Sequence, residues 1–323
     1  MRIPPGILQA LPPYLGGKRR LAPLIFSLLH ELIPQANWRG LIFLDPMCGG
    51  GAVALAAKAL GLNVIAGDGS LRGAIVARAL IANSTTRLAK HEIARLLIDT
   101  SPDETSGPRE QDVISRLFST AADHHEPLAS LLRLVLVKAY LRSFPMSLPS
   151  ATDARAFMSG DLDRISPSRL VTYMKGRELR TPAGLWHIAR QINGGVIGGP
   201  GRAVRGDALE VIRSRSADVL YLDPPYAGTT GYSQTYQSLD RLLGDSVESQ
   251  PPSLNDLLES ASHIPVIILS YGGPGVSAES IAEIVLAHRH VVRSVDVPYA
   301  HLRSIATAKG KEKTREVIII AER

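Results

Sequence analysis

The chain has 323 residues, of which 45% are hydrophobic, and its 36 Lys and Arg against 30 Asp and Glu leave a net charge of +6. That apolar share can bury a large core and excludes a disordered chain, while no apolar run reaches the roughly 18 residues that a membrane span needs. The single cysteine, Cys48, excludes an internal disulfide and fits a cytoplasmic location. The first residues carry two prolines and no basic start before an apolar core, so a secretory signal is not expected.

In chain order, residues 24–33 pattern as a helix leading to a strand at Leu41-Ile42-Phe43-Leu44. Asp45-Pro46-Met47-Cys48-Gly49-Gly50-Gly51 follows, then a helix-forming run over 52–60. Strand, glycine loop and helix is the layout that lets backbone approach a nucleotide-like ligand at a helix N-terminus. The loop lacks the third glycine of a dinucleotide fingerprint and the Gly-Lys-Ser/Thr of a P-loop. Asn63-Val64-Ile65-Ala66-Gly67-Asp68 reads as the next strand. Its terminal acid suits either ribose hydroxyls or the cap of the helix that follows.

Helical patterns continue over 74–80 and 90–98, a polar linker over 100–110, and further helices over 113–122 and 128–141. Pro145 and Pro149 break the pattern, and 193–201 is a Gly-rich return. Strands are expected at 203–205, 219–222, 266–270, 291–297 and 317–320. Alternating strands and helices predict an α/β fold with a doubly wound, Rossmann-like sheet. The mostly helical stretch 84–200 reads as an insertion into a domain made of 1–83 and 201–323.

The densest chemical signal is Asp223-Pro224-Pro225-Tyr226, placed directly after the apolar strand Val219-Leu220-Tyr221-Leu222. Proline fixes φ and has no N–H, so the chain must leave the sheet there. The turn presents a carboxylate, the Pro224 carbonyl and an aromatic face, which suit a planar base with an exocyclic amine. A plain strand with a Pro-rich turn is the bland alternative, and for Tyr226 an ordinary aromatic plug. Cys48 lies in the glycine loop and is expected to pack, not to act as a nucleophile. The nine histidines are scattered, and no His/Cys/Asp set has metal-ligand spacing, so no metal is expected.

Taken together these segments resemble the Dam-type (adenine-N6)-specific DNA methyltransferases. Tyr14-Leu15-Gly16-Gly17-Lys18 is similar to the family's aromatic-x-Gly-Gly-Lys element, Leu44 to Gly51 to its cofactor loop, and Asp223 to Tyr226 to its catalytic loop. Arg303-Ser304-Ile305, a Lys-rich loop and Glu316-Val317-Ile318-Ile319-Ile320 resemble its C-terminal hairpin. The resemblance implies a class I methyltransferase sheet and S-adenosylmethionine as cofactor. Tyr14 and Lys18 would hold the methionine end, Asp45 the α-amino group, and Gly49 and Gly51 would allow close approach. Asp68 would take the ribose, and Asp207 with Ala208 the cofactor adenine. Asp223, Pro224 and Tyr226 would be catalytic, with Asp223 also bordering the cofactor. Asp207 reads equally as a helix cap. Departures are Tyr14 for the family's Trp, Met47 for its Phe, and a central segment, Lys138 to Met146, without the usual aromatic- and Asn-rich stretch.

The implied partner is double-stranded DNA, in keeping with the basic balance. Arg133, Lys138 and Arg142 recur at helical spacing, and Arg303, Lys309, Lys311 and Lys313 lie near the chain end, as candidate phosphate contacts; 84–200 would be the target-recognition domain. A solvated face is the alternative for any one of them. RNA adenine or DNA cytosine-N4 methylation on the same scaffold, or a non-catalytic DNA-binding module, are the competing functions. A monomer is the expected state.

Overall fold

The computed structural model of the protein describes residues 1–98, 110–143, 181–226, 232–245, 251–272, 277–298 and 315–323. Among these, one sheet is formed by β1 (Ile42–Asp45), β2 (Asn63–Asp68), β3 (Gly201–Arg205), β4 (Val219–Leu222), β5 (Val266–Gly272), β6 (His290–Pro298) and β7 (Arg315–Glu322). Their spatial order is β3-β2-β1-β4-β5-β7-β6. β1 to β5 pair in parallel, and β7 runs antiparallel to both β5 and β6. The doubly wound α/β expectation therefore stands. From β1 the chain winds outward to β3, returns to β4, and winds outward the other way. The gap between the ends of β1 and β4 is thus the topological switch point, where open α/β sheets bind ligands.

Along the central strands, period-two alternation sends successive residues to one or the other of two cores. Phe43, Val64, Val219, Tyr221, Ile268 and Ile318 belong to one buried cluster, and Leu44, Leu220, Leu222, Ile267, Leu269 and Ile319 to the other. Both faces are covered, so the central strands are apolar throughout, as a parallel sheet requires. Each fully buried Leu, Ile or Phe contributes roughly 1.5–3 kcal/mol.

The first cluster packs α1 (Ala22–Leu32) and α2 (Ala52–Ala59) on the sheet. The second packs α8 (Ala208–Arg213), α10 (Leu254–Ser260) and α11 (Ala278–Leu286). The other described α-helices are α3 (Leu71–Val76), α4 (Lys90–Ile98), α5 (Glu110–Ala122), α6 (Leu128–Ser143), α7 (Pro182–Asn193) and α9 (Tyr232–Leu243). The helix expected over 74–80 starts earlier, capped by Ser70, and relaxes into a wider π turn over Ala77–Ala82.

The described helices of the 84–200 stretch do not form a core of their own. Leu131, Leu132 and Val135 of α6 and Leu185, Ile188 and Ile192 of α7 join the first cluster. α6 is apolar around most of its circumference and is buried accordingly. This burial corrects one site expectation. Lys138 is fully buried, and its ammonium donates to the carbonyls of Gln9 and Ala10, so it ties the N-terminal turn to α6 and faces no phosphate. Desolvation, with Arg142 and Arg19 adding to it, pulls its pKa down to about 7.

No helix among the described residues is long and apolar enough to cross a membrane.

Candidate active site

The glycine loop is shaped by what leans on it. Gly49 and Gly51 have φ of +48° and +75°, a region that favours glycine. The Tyr14 ring lies directly against the loop. A Cβ added to Gly49 would sit 2.8 Å from that ring, and one added to Gly50 only 2.6 Å from Tyr14 Cβ. The loop is pinned from the neighbouring strand: Gly49 N–H donates to Asp68 Oδ2 (2.8 Å), and Cys48 N–H to the Gly67 carbonyl (2.8 Å). Asp68 Oδ1 accepts from the N–H and hydroxyl of Ser70 at 2.8 and 2.6 Å. Ser70, not Asp68, caps α3, by accepting from Gly73 N–H. Cys48 is buried against the Gly73 carbonyl, in a packing position.

Asp45 closes β1 at 2% exposure. Burial, reinforced by the Asp223 and Asp68 carboxylates, pushes its pKa well above the ordinary range. Its Oδ1 is buried and has no hydrogen-bond partner in the structure. Asp207 does cap α8, accepting from the N–H groups of Leu209 (2.9 Å) and Glu210 (3.2 Å).

Opposite this half, β4 delivers Asp223 beside Lys18, and a compact ionic cluster results. Lys18 Nζ lies 2.8 Å from Asp223 Oδ1 and 3.3 Å from Glu316 Oε1, and it also donates to the Tyr226 hydroxyl (2.8 Å) and the Gly16 carbonyl (3.0 Å). The Tyr226 hydroxyl is 2.8 Å from Glu316 Oε1 and 3.1 Å from Asp223 Oδ1, and with one proton it donates to one of them at a time. Its ring packs at a tilt against Tyr271, centroids 5.2 Å apart. Burial opposes the Lys18 charge, but Asp223 and Glu316 outweigh it and hold its pKa above the usual lysine value. Asp223 is raised by burial, lowered in part by Lys18, and raised again by Glu316.

A cleft of about 720 Å³ joins the two halves, lined by Tyr14, Lys18, Asp45, Gly49, Asp68, Asp207, Ala208, Asp223, Pro224 and Tyr226, among others. Gly51 stands just behind this lining, at the cap of α2.

Sequence reasoning missed four groups here. Arg72 and Asp240 form an ion pair (2.5 Å), Arg72 stacks over Tyr236 (4.5 Å to the centroid), and Tyr236 stacks on Tyr14 (5.1 Å). The Tyr236 hydroxyl accepts from Leu15 N–H at 2.8 Å. Glu316 is the fourth. Its only sequence signal is an acid opening an otherwise apolar strand.

Of the predicted phosphate contacts, Arg142 is exposed and Arg133 half-buried on α6. Arg303, Lys309, Lys311 and Lys313 lie outside the described residues. No group of His, Cys, Asp or Glu among the described residues could hold a metal ion.

The residues fit S-adenosylmethionine on one observation in particular. The buried Asp45 Oδ1 lacks a donor at the wall of a cleft large enough for the cofactor, and a ligand ammonium would both supply that donor and stabilise the charged carboxylate.

Among known proteins, residues 14–105 match the family described as D12 class N6 adenine-specific DNA methyltransferase. No curated protein matches. Among solved structures, one described as a candidate class I S-adenosylmethionine-dependent methyltransferase from Listeria monocytogenes is 11% identical, with a TM-score of 0.37. That alignment covers 94% of this chain and 59% of the other, and so loose a superposition says nothing beyond what the strand order already gives. From Tyr14 through the glycine loop to residue 105, the chain is thus similar to the D12 class N6 adenine-specific DNA methyltransferases, and S-adenosylmethionine is the cofactor that this family and fold imply.

Proposed function

We propose that the protein is a DNA adenine methyltransferase, moving a methyl group from S-adenosylmethionine to the exocyclic N6 amine of an adenine turned out of the duplex. The observation that carries this reading is the meeting of Asp223-Pro224-Pro225-Tyr226 with the glycine loop in one cleft at the switch point. When bound, the cofactor supplies a methyl group made electrophilic by its sulfonium. Asp45 would accept from the α-amino group, Asp68 would accept from the ribose, and Asp207 with the Ala208 N–H would face the adenine ring.

The chain's own residues then have two tasks, to hold the amine and to balance charge. Asp223 and the Pro224 carbonyl would accept hydrogen bonds from the two amine N–H groups, drawing the nitrogen lone pair out of conjugation and towards the methyl group. Methyl transfer would exchange the cofactor's S–C bond for a C–N bond to the amine, and Asp223 would face the positive charge developing on that nitrogen. The methylated amine would then give up one proton to solvent water. The Tyr226 ring offers the base a stacking face that offsets the few kcal/mol needed to extrude it. Arg142 and the basic residues of 303–313 serve the phosphates, and the 84–200 stretch contributes to target reading.

Methyl-labelled S-adenosylmethionine, incubated with the protein and unmethylated duplex DNA or ribosomal RNA and then digested to nucleosides, tests this. Label in N6-methyldeoxyadenosine is expected. Label only in RNA would keep the chemistry and replace the partner; label in N4-methyldeoxycytidine would replace the base. Cofactor binding without any label would favour a non-catalytic module.

A further inference from the structure

We propose that Asp240 is a second acceptor for the cofactor's ribose: its Oδ1 receives one of the two sugar hydroxyls, and Asp68 receives the other. The inference deepens the cofactor side of the methyl-transfer reading and rests on it.

Asp240 reaches the cleft on α9. Tyr236 and Asp240 stand four residues apart and so share a face of that helix. Both are tied to the cleft wall. The Tyr236 ring stacks on Tyr14 and its hydroxyl accepts from Leu15 N–H, while Asp240 Oδ2 pairs with Arg72. Arg72 lies in the first turn of α3, directly after β2 and four residues beyond Asp68. Asp240 therefore lines the cleft on its β2 side, within electrostatic reach of the acid expected to take the ribose.

The Arg72 pair uses only one of the two carboxylate oxygens. Oδ1 is buried and has no hydrogen-bond partner in the structure, although the residue borders a cleft of about 720 Å³. A buried acceptor left without a donor costs stability. Its neighbours add to that cost: burial raises the Asp240 pKa, Arg72 lowers it, and the Asp245 and Asp68 carboxylates raise it again. A ligand group that brings donors and no negative charge would remove the cost.

The count of acceptors points to the ribose. A carboxylate offers about four lone-pair sites. Asp68 already accepts from Gly49 N–H and from both the N–H and the hydroxyl of Ser70, which leaves room for about one more bond. The ribose brings two adjacent hydroxyl donors, and Asp240 Oδ1 supplies the acceptor that the second would otherwise lack. The α-amino group has its own expected partner in Asp45, whose Oδ1 is also without a donor.

Calorimetry with S-adenosylhomocysteine and its 2′-deoxy and 3′-deoxy counterparts tests this in the wild type and in Asp240→Ala. In the wild type each missing hydroxyl is expected to weaken binding, by about tenfold for the one that Asp240 holds. Asp240→Ala should bind the parent compound about tenfold more weakly, and that one deoxy compound should now bind as tightly as the parent, because its hydroxyl no longer has an acceptor to meet. The penalty for the other hydroxyl should remain. If Asp240 only braced α9, Asp240→Ala would weaken all three compounds by one factor and leave both penalties in place, which would overturn the inference. If that variant does not fold, the wild type decides: penalties for both hydroxyls are the expected result, and a penalty for one or for neither would overturn the inference. A wild-type protein that does not bind S-adenosylhomocysteine would instead overturn the cofactor reading beneath it.

Discussion

The two halves of the cleft are built by different means. The proposed cofactor half, at the ends of β1, β2 and β3, is held by short-range geometry: Gly49 to Asp68, Asp68 to Ser70, and Asp207 to its own helix. Most of these partners lie within about twenty residues of each other, as the βα turns of such a sheet dictate. The proposed catalytic half is assembled from across the whole chain, with Lys18, Asp223 and Glu316 meeting in one buried cluster. Backbone shape controls the first half and charge balance the second. Steric change should therefore damage the cofactor side most, and loss of charge the catalytic side.

The largest expected effect is on the catalytic side. Asp223→Ala should lower single-turnover methyl transfer by roughly a hundredfold or more while cofactor binding changes little. A variant that keeps full activity would remove Asp223 from the mechanism. On the cofactor side, Gly49→Ala forces a Cβ against the Tyr14 ring at a positive φ, and calorimetry should show cofactor affinity weakened by roughly five- to 150-fold, given strain of roughly 1–3 kcal/mol. Equal affinity in that variant would mean that the loop is softer than its packing indicates.

A smaller effect separates α6 residues that look alike in sequence. Arg142→Glu should weaken DNA binding several-fold and reduce the salt slope by about one, the expectation for a lost phosphate contact. Lys138→Met should leave the slope unchanged. Lys138 should show itself in stability instead. Its folded pKa, about 7, lies below the usual lysine value, so the unfolded chain binds more protons between the two. The stability of wild type relative to Lys138→Met should then rise with pH by up to about 1.4 kcal/mol per unit above pH 7, measured by urea unfolding. A flat difference would show that the two carbonyls keep the ammonium charged.

Legibility followed the same division. β4 ends where its apolar run ends and is followed by Asp223, and β2 closes on Asp68, the two acids that the pattern singled out. α7 and α10 were missed although their signals stand in the sequence: Thr181-Pro182 caps and opens one, and Ser253 with Asp256 forms a capping box on the other. Lys138 was misread for a different reason. Spacing shows that Arg133, Lys138 and Arg142 lie on one helix, but not which turn of it the N-terminal segment covers.

By itself the sequence determined the alternation of strands and helices, the glycine loop, the acids at the strand ends and the proline-locked turn, because each depends on residues a few positions apart. Only the tertiary structure decided that Glu316 belongs to the site, that Lys18 is shared between two carboxylates, that Tyr236 and Arg72 brace Tyr14, and that Lys138 is interior. Those outcomes depend on strand order and on which surfaces exclude water, and charge pairing across hundreds of residues leaves no periodic mark in a chain.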